Sequence, residues 1–409
     1  MGEANIESVA KPTRPPAAPV VDFERDRSLE GLRAPAAGLV LVFHLVGAVA
    51  IIRPERVPTA MRFWTAQFGS LGVSIFFVLS GFLLSRPFVT AQVLGRRTSP
   101  PLTYLSRRFA RIFPAYWLAG GTYLLFVTKE PRPGVGRAAE YLLLAQNYRY
   151  GDVLLGLGVA WTLVIELSFY LALPLLAALV GRQHPVGAQA LRRWVVLASA
   201  LYVAGIASRL VGNSVTRPPT GSWQVWRFPQ LWLPGYLDWF ALGIGLAVLA
   251  TRELRSNDRP SRLAGAVVRH PNFTWLAAVG LYGMSHLARY PTRAGQAYTD
   301  VQLMVRNKSM PIVAALIVAP IALATAKTGA IRRALASKVV FYLGTISYGI
   351  YLWQIISIRI VRTQIEEGRI PKSPAILVAL ATTLTLVFAT ASWYALERPI
   401  IRAVRRLRL

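Results

Sequence analysis

Three ionisable residues of this chain lie where an ion is costly, inside long apolar runs. His44 sits within Gly38 to Val46, Glu166 within Trp161 to Leu171, and Asp238 within Leu231 to Leu242. If these runs are helices crossing a hydrocarbon layer about 30 Å thick, all three groups lie well inside it. Such residues are functional candidates by default. A histidine titrating near neutrality can take a proton from a hydroxyl. A carboxylate on its other ring nitrogen would fix the tautomer and stabilise the imidazolium. His44 is therefore the expected base and Glu166 its orienting acid, with Ser80, Asp238 and Gln354 near the same depth. A neutral histidine hydrogen-bonded between helices is the plainer alternative.

A second group, Arg33, Arg108, Arg111, Glu397 and Arg398, falls near the opposite face of the layer. Arg33 and His44 are roughly 16 Å apart along one helix, so they are not partners. Arg108 and Arg111 are three positions apart and share a helix face. A single arginine at a span end is ordinarily an anchor. A pair on one face also suits phosphate, because the guanidinium fork meets its oxygens two at a time. Together the two layers suit a cytoplasmic, nucleotide-linked donor whose reactive end reaches up into the membrane.

Hydropathy supplies the elements that must carry these residues. Of the 409 residues, 54% are hydrophobic. Apolar runs near 31–52, 70–89, 109–127, 158–180, 191–212, 231–250, 273–289, 309–326, 336–361 and 374–397 predict an all-α, polytopic membrane bundle of about ten spans. Residues 1–28 are polar and read as a disordered cytoplasmic tail, 29–404 as one transmembrane domain, and 405–409 as a basic cytoplasmic tail. Lys and Arg favour the loops on the side of the N-terminus, which puts both termini in the cytoplasm. The net charge of +28 is scattered between apolar spans, a pattern that fits cytoplasmic loops and anionic lipid rather than nucleic acid. With no cysteine, thiolate metal sites and cysteine nucleophiles are excluded.

Finer features have plainer readings. Residues 136–150 suggest an amphipathic helix on the outer surface. Ser80-Gly81, Gly243 and Gly245 suit close helix contact. Asn307-Lys308-Ser309 falls in a predicted outer loop, and His184, His270 and His286 are read as incidental. A proton relay through His44, Glu166 and Asp238 would make the chain a proton-coupled transporter of an anionic substrate. Against that stands the lack of an inverted repeat or paired broken helices.

In order along the chain, these residues resemble the membrane-bound acyltransferase family 3, of the O-antigen acetylase type. Its arginine, ten residues and histidine match Arg33 and His44. Its G-V-x-x-F-F-V-L-S-G-F run matches Gly72 to Phe82. Its R-x-x-R segment matches Arg108 and Arg111, followed by Pro114, Tyr116 and Trp117. The pattern W-S-L-x-x-E-x-x-F-Y matches Trp161 to Tyr170, S-Y-x-x-Y-L matches Ser347 to Leu352, and E-R-P matches Glu397 to Pro399.

The resemblance implies a ten-helix bundle in the bacterial inner (plasma) membrane. It implies transfer of an acetyl or other short acyl group from acyl-CoA, a co-substrate rather than a tightly bound cofactor. The acceptor would be a hydroxyl of a cell-envelope glycan, a glycolipid or a small molecule such as a macrolide. No metal is implied. Arg33, Arg108 and Arg111 would hold coenzyme A phosphates, His44 would act as base, and Glu166 would orient it. Ser80 or Trp161 would stabilise an oxyanion, with Tyr170, Asp238 and Gln354 on the substrate side. An acyl-enzyme on His44 or Ser80 is an open variant. The sequence departs from the family pattern at Ala34, where glycine is usual, at Leu167 in place of a second acid, and at Gln354, where a histidine is common.

Overall fold

The computed structural model describes residues 26–128, 134–148, 156–215, 231–255, 261–287, 300–324 and 329–406. Among them every regular element is helical. The first run forms α1 (Arg27–Gly31) and α2 (Arg33–Ile52), followed by the short α3 (Thr59–Thr65) and the long α4 (Phe68–Val93). Next come α5 (Pro101–Thr122), α6 (Val135–Leu142), α7 (Trp161–Gly181), α8 (Gly187–Val215) and α9 (Leu237–Arg255). The last third holds α10 (Arg262–Arg269), α11 (Pro271–Leu287), α12 (Asp300–Ala322), α13 (Ala330–Leu335), α14 (Lys338–Thr345), α15 (Ser347–Glu366), α16 (Pro374–Ser392) and α17 (Arg398–Arg406).

Six of these helical stretches are long and apolar enough to cross a membrane, or seven if α14 and α15 form one span. About ten were expected. The three that fall short have physical reasons. α5 carries Arg107, Arg108 and Arg111, α11 has 17 residues, and the apolar part of α12 is Lys308–Ala322.

The most buried span is α4, which packs against α9 along main chain. A Cβ on Gly81 would lie 2.4 Å from the Phe240 carbonyl oxygen, and one on Gly243 would lie 2.2 Å from that of Val78. Glycine on both helices is what lets them touch. Beside this contact Phe240 stacks on Phe77 and Phe169, with centroids 4.8 and 4.0 Å away.

The predicted ninth span is not continuous. α14 and α15 meet at Ile346 with a bend of 67°. The short α1 seats beside that bend, where a Cβ on Gly344 would meet the Glu30 carbonyl oxygen at 2.1 Å. Asp26, Arg27 and Ser28, expected in the disordered tail, belong to this folded body. Asp26 caps α1 by accepting from the Ser28 amide at 2.9 Å and pairs with Arg332. Residues 1–25 and 407–409 of the expected tails lie outside the described residues. The amphipathic segment 136–150 is α-helical over Val135–Leu142 with a 3-10 turn over Gln146–Tyr148, and its last two residues lie outside the description.

Candidate active site

A cavity of about 50 Å³ opens where α2, α4, α5, α7 and α15 converge. Its polar walls include Arg33, Ser80, Arg111, Glu166, Tyr170 and Ser347. Each comes from a position fixed by its helix. Arg33 opens α2, Ser80 stands beside the glycine contact of α4, and Ser347 opens α15. Glu166 and Tyr170 are four apart on α7, so they share a face.

Glu166 Oε1 accepts two hydrogen bonds, from Ser80 Oγ at 2.8 Å and from Tyr170 OH at 2.6 Å. Two hydroxyl donors on one carboxylate oxygen fix its position inside an apolar bundle. Arg111 reaches Glu30 at 3.5 Å, and Arg33 and Arg111 both feel the charge of Glu166. The Nε of Arg33 is buried and makes no hydrogen bond. The site therefore places two guanidinium groups, one carboxylate and several hydroxyls around one small void.

His44 is elsewhere. Its Nδ1 lies 2.9 Å from the Val40 carbonyl oxygen, one turn back in its own helix. A carbonyl only accepts, so Nδ1 carries the proton and donates, and Nε2 keeps its lone pair. The side chain of Gln354 adjoins the imidazole. No hydrogen bond joins His44 to Glu166, and His44 does not line the cavity. This corrects the expectation that Glu166 orients His44. Equal depth does not make two helices neighbours, and the ring found an acceptor within its own helix.

The separation into two layers is corrected as well. Arg33 and Arg111, assigned to the inner face, line the same cavity as Ser80 and Glu166, assigned to the deeper layer. Arg108 stays outside it, with its guanidinium over the Tyr104 ring at 5.8 Å. Trp161 also lies outside; its ring tilts against Tyr236 at 5.7 Å. Gln354 is fully buried and its Nε2 donates to the Tyr351 carbonyl at 3.1 Å. Asp238 does not line the cavity. It is fully buried and pairs with Lys308 Nζ at 2.8 Å. Lys308 was expected in an outer loop, yet its triplet lies within α12. Glu397 accepts from Ser392 Oγ at 3.0 Å within a π-helical turn over Trp393–Glu397.

Sequence reasoning missed Lys308 and gave no role to Ser347, Tyr348 or Tyr351. The buried acid Asp238 was a signal for the lysine, since a charge in an apolar span calls for a counter-ion. Nothing local could have found Ser347, because its setting depends on the bend at Ile346.

The family model described as "Acyltransferase domain" matches residues 26–394. The chain is 29% identical over 347 residues to Acyltransferase MdmB of Streptomyces mycarofaciens, a match covering 81% of this chain and 79% of that protein. It is 31% identical over 108 residues to Exopolysaccharide production protein ExoZ of Rhizobium meliloti, covering 25% of this chain and 32% of ExoZ. It is 29% identical over 154 residues to Nodulation protein 10 of Rhizobium leguminosarum bv. viciae, covering 32% and 40% respectively. No solved structure matches the chain. With apolar helices of membrane-crossing length, a family model spanning most of its residues and the expected motifs in order, the chain belongs to acyltransferase family 3, a family of multi-pass membrane acyltransferases.

Proposed function

We propose that this protein moves an acetyl or other short acyl group from acyl-CoA to a hydroxyl of a cell-envelope glycan or glycolipid, or of a small molecule such as a macrolide. The observation that carries the reading is the cavity in which Arg33 and Arg111 meet the Ser80–Glu166–Tyr170 cluster. A space of about 50 Å³ suits the acyl end of a donor, not a whole nucleotide. Arg33, Arg111 and, from outside the void, Arg108 would draw the donor's phosphates to its mouth. ExoZ, by its name an exopolysaccharide production protein, supports a glycan acceptor. In this reading the bundle sits in the inner (plasma) membrane with both termini cytoplasmic, and the three shorter helices complete about ten spans.

In this reading Nε2 of His44, which stands outside the cavity, takes the acceptor hydroxyl proton through one intervening water, and the freed oxygen attacks the thioester carbonyl. The new C–O bond forms as the carbonyl pair moves to oxygen. That pair returns, the C–S bond breaks, and the leaving thiolate takes the proton from the imidazolium. Glu166 holds the hydroxyls of Ser80 and Tyr170 against the cavity wall. The transporter alternative is set aside. The family is one of acyltransferases, and Asp238, a supposed relay member, is held by Lys308.

The test is release of free coenzyme A thiol from acetyl-CoA by purified protein with a glycan or macrolide acceptor. Wild type should release thiol in step with acylated product, and His44→Ala should lose at least about a hundredfold in kcat. A His44→Ala protein turning over at the wild-type rate would remove the histidine from the mechanism. Product formation without thiol release would point to a different donor.

A further inference from the structure

Six hydroxyl side chains line the cavity, and each has one proton to give. Five are committed. Ser80 and Tyr170 donate to Glu166 at 2.8 and 2.6 Å, and Tyr348 donates to the Ile112 carbonyl at 2.8 Å. Tyr351 OH reaches the Val159 carbonyl at 3.0 Å, and Thr162 Oγ1 is bonded within the same Tyr351–Val159 group. The sixth, Ser347, is 1% exposed, and its Oγ makes no hydrogen bond.

The bend sets where that hydroxyl stands. A serine inside a helix usually returns its proton to the carbonyl four residues back. Ser74, Ser85 and Ser168 do so in this bundle, at 2.7, 2.6 and 2.7 Å, whereas the buried Ser309 and Ser357, which do not line the cavity, do not. For Ser347 that carbonyl belongs to Leu343 of α14, and the 67° turn at Ile346 separates the two helices' axes. Ser347 is also the first residue of the 20-residue α15, whose N-terminus has no side-chain cap. The first amides of a helix lack partners within it, and the helix dipole is positive there. Half-helices within a membrane use this end to meet negative charge.

We propose that Ser347 Oγ, backed by the N-terminus of α15, binds the carbonyl oxygen of the acyl group and stabilises the negative charge it gains when the acceptor attacks. This deepens the acyl-transfer reading and rests on it. The bond bookkeeping is that of the transfer above; Ser347 donates a hydrogen bond throughout and exchanges no proton. The expected oxyanion donors are displaced by it, since the proton of Ser80 is held by Glu166 and Trp161 lies outside the cavity. An oxyanion donor must be free before the charge develops, and Ser347 meets that condition.

The experiment compares wild type, Ser347→Ala and Ser347→Cys in the acetyl-CoA thiol-release assay, with melting temperature measured alongside. Ser347→Ala should lower kcat by about a hundredfold to a thousandfold, the usual cost of one such donor. Its KM for acetyl-CoA and its melting temperature should stay near wild type, because the hydroxyl makes no bond in the resting protein. Ser347→Cys, nearly the same shape with a weak donor, should show the same fall in kcat and serves if the alanine variant does not fold. Wild-type kcat in either folded variant, or a raised KM with kcat intact, overturns the proposal. A wild-type protein that releases no thiol instead defeats the acyl-CoA reading itself, so the two failures are distinct.

Discussion

The buried pair Asp238–Lys308 shows how much a single residue's surroundings decide. Asp238 has the depth expected of a catalytic acid, yet its partner is a lysine 2.8 Å away and a second cation, Arg209, lies close enough to act on it. Removing one partner of such a pair leaves an uncompensated charge in an apolar bundle. Lys308→Met should therefore cost about 3–5 kcal/mol of stability, read as a large drop in melting temperature in detergent. Lys308→Met with Asp238→Leu should recover most of that loss, since well-packed apolar residues often replace a buried pair at little cost. A single variant as stable as wild type would mean the pair is not the structural tie it is described as. Glu166 differs from Asp238 in having no such lysine among the described residues: its two donors are hydroxyls, and its charge faces Arg33 and Arg111 in a cavity.

Among the helices, α4 and α9 set the frame for the cavity. Their contact at Gly81 and Gly243 holds Ser80 in reach of Glu166, and no side chain fits between the two main chains. Gly81→Ala and Gly243→Ala should each destabilise the bundle by about 1–3 kcal/mol, as overpacking does. Gly245 lies two residues on and has nothing within 4 Å of a built Cβ. Gly245→Ala should be neutral, or stabilising by up to about 1 kcal/mol from helix propensity. Thermal unfolding of the three purified variants checks the contrast. Equal behaviour of Gly81→Ala and Gly245→Ala would show that the close approach is not what that glycine serves. The broken α14–α15 pair is the other element-scale device, since its bend sets Ser347 at the start of α15 on the cavity wall.

Across the whole molecule, the cavity depends on parts far apart in the chain. α1 seats against α13 and α14, three hundred residues or so later, through main-chain contact at Gly31 and Gly344. The same helix brings Glu30 to Arg111, so the charge balance at the cavity follows from how α1 docks. Asp26 ties that docking twice, as the cap of α1 and as the partner of Arg332. Asp26→Ala should lower stability by about 1–2 kcal/mol, the upper part of the range for a lost cap. Asp26→Asn, which keeps the cap but not the charge, should fall between it and wild type. An unchanged melting temperature for Asp26→Ala would show that α1 is held by its main-chain contacts alone.

The sequence by itself determined what is one-dimensional. Apolar runs located α2, α4, α7, α8, α9 and α16; the motifs named the family; small residues marked Ser80-Gly81, Gly243 and Gly245 for close contact, of which Gly245 makes none. Counting residues along a helix set His44 roughly 16 Å from Arg33, because rise per residue is a local property of backbone hydrogen bonding. Only the tertiary structure decided which side chains meet. Neighbours depend on the rotation of each helix about its axis and on where its packing partners stand, and neither is written in hydropathy. So His44 turned to its own Val40 carbonyl, Asp238 met a lysine expected in a loop, and Arg33 joined Glu166 around one void. A bend at Ile346, made beside the seat of α1 by contacts remote in sequence, left Ser347 with the one uncommitted proton among the cavity's hydroxyls.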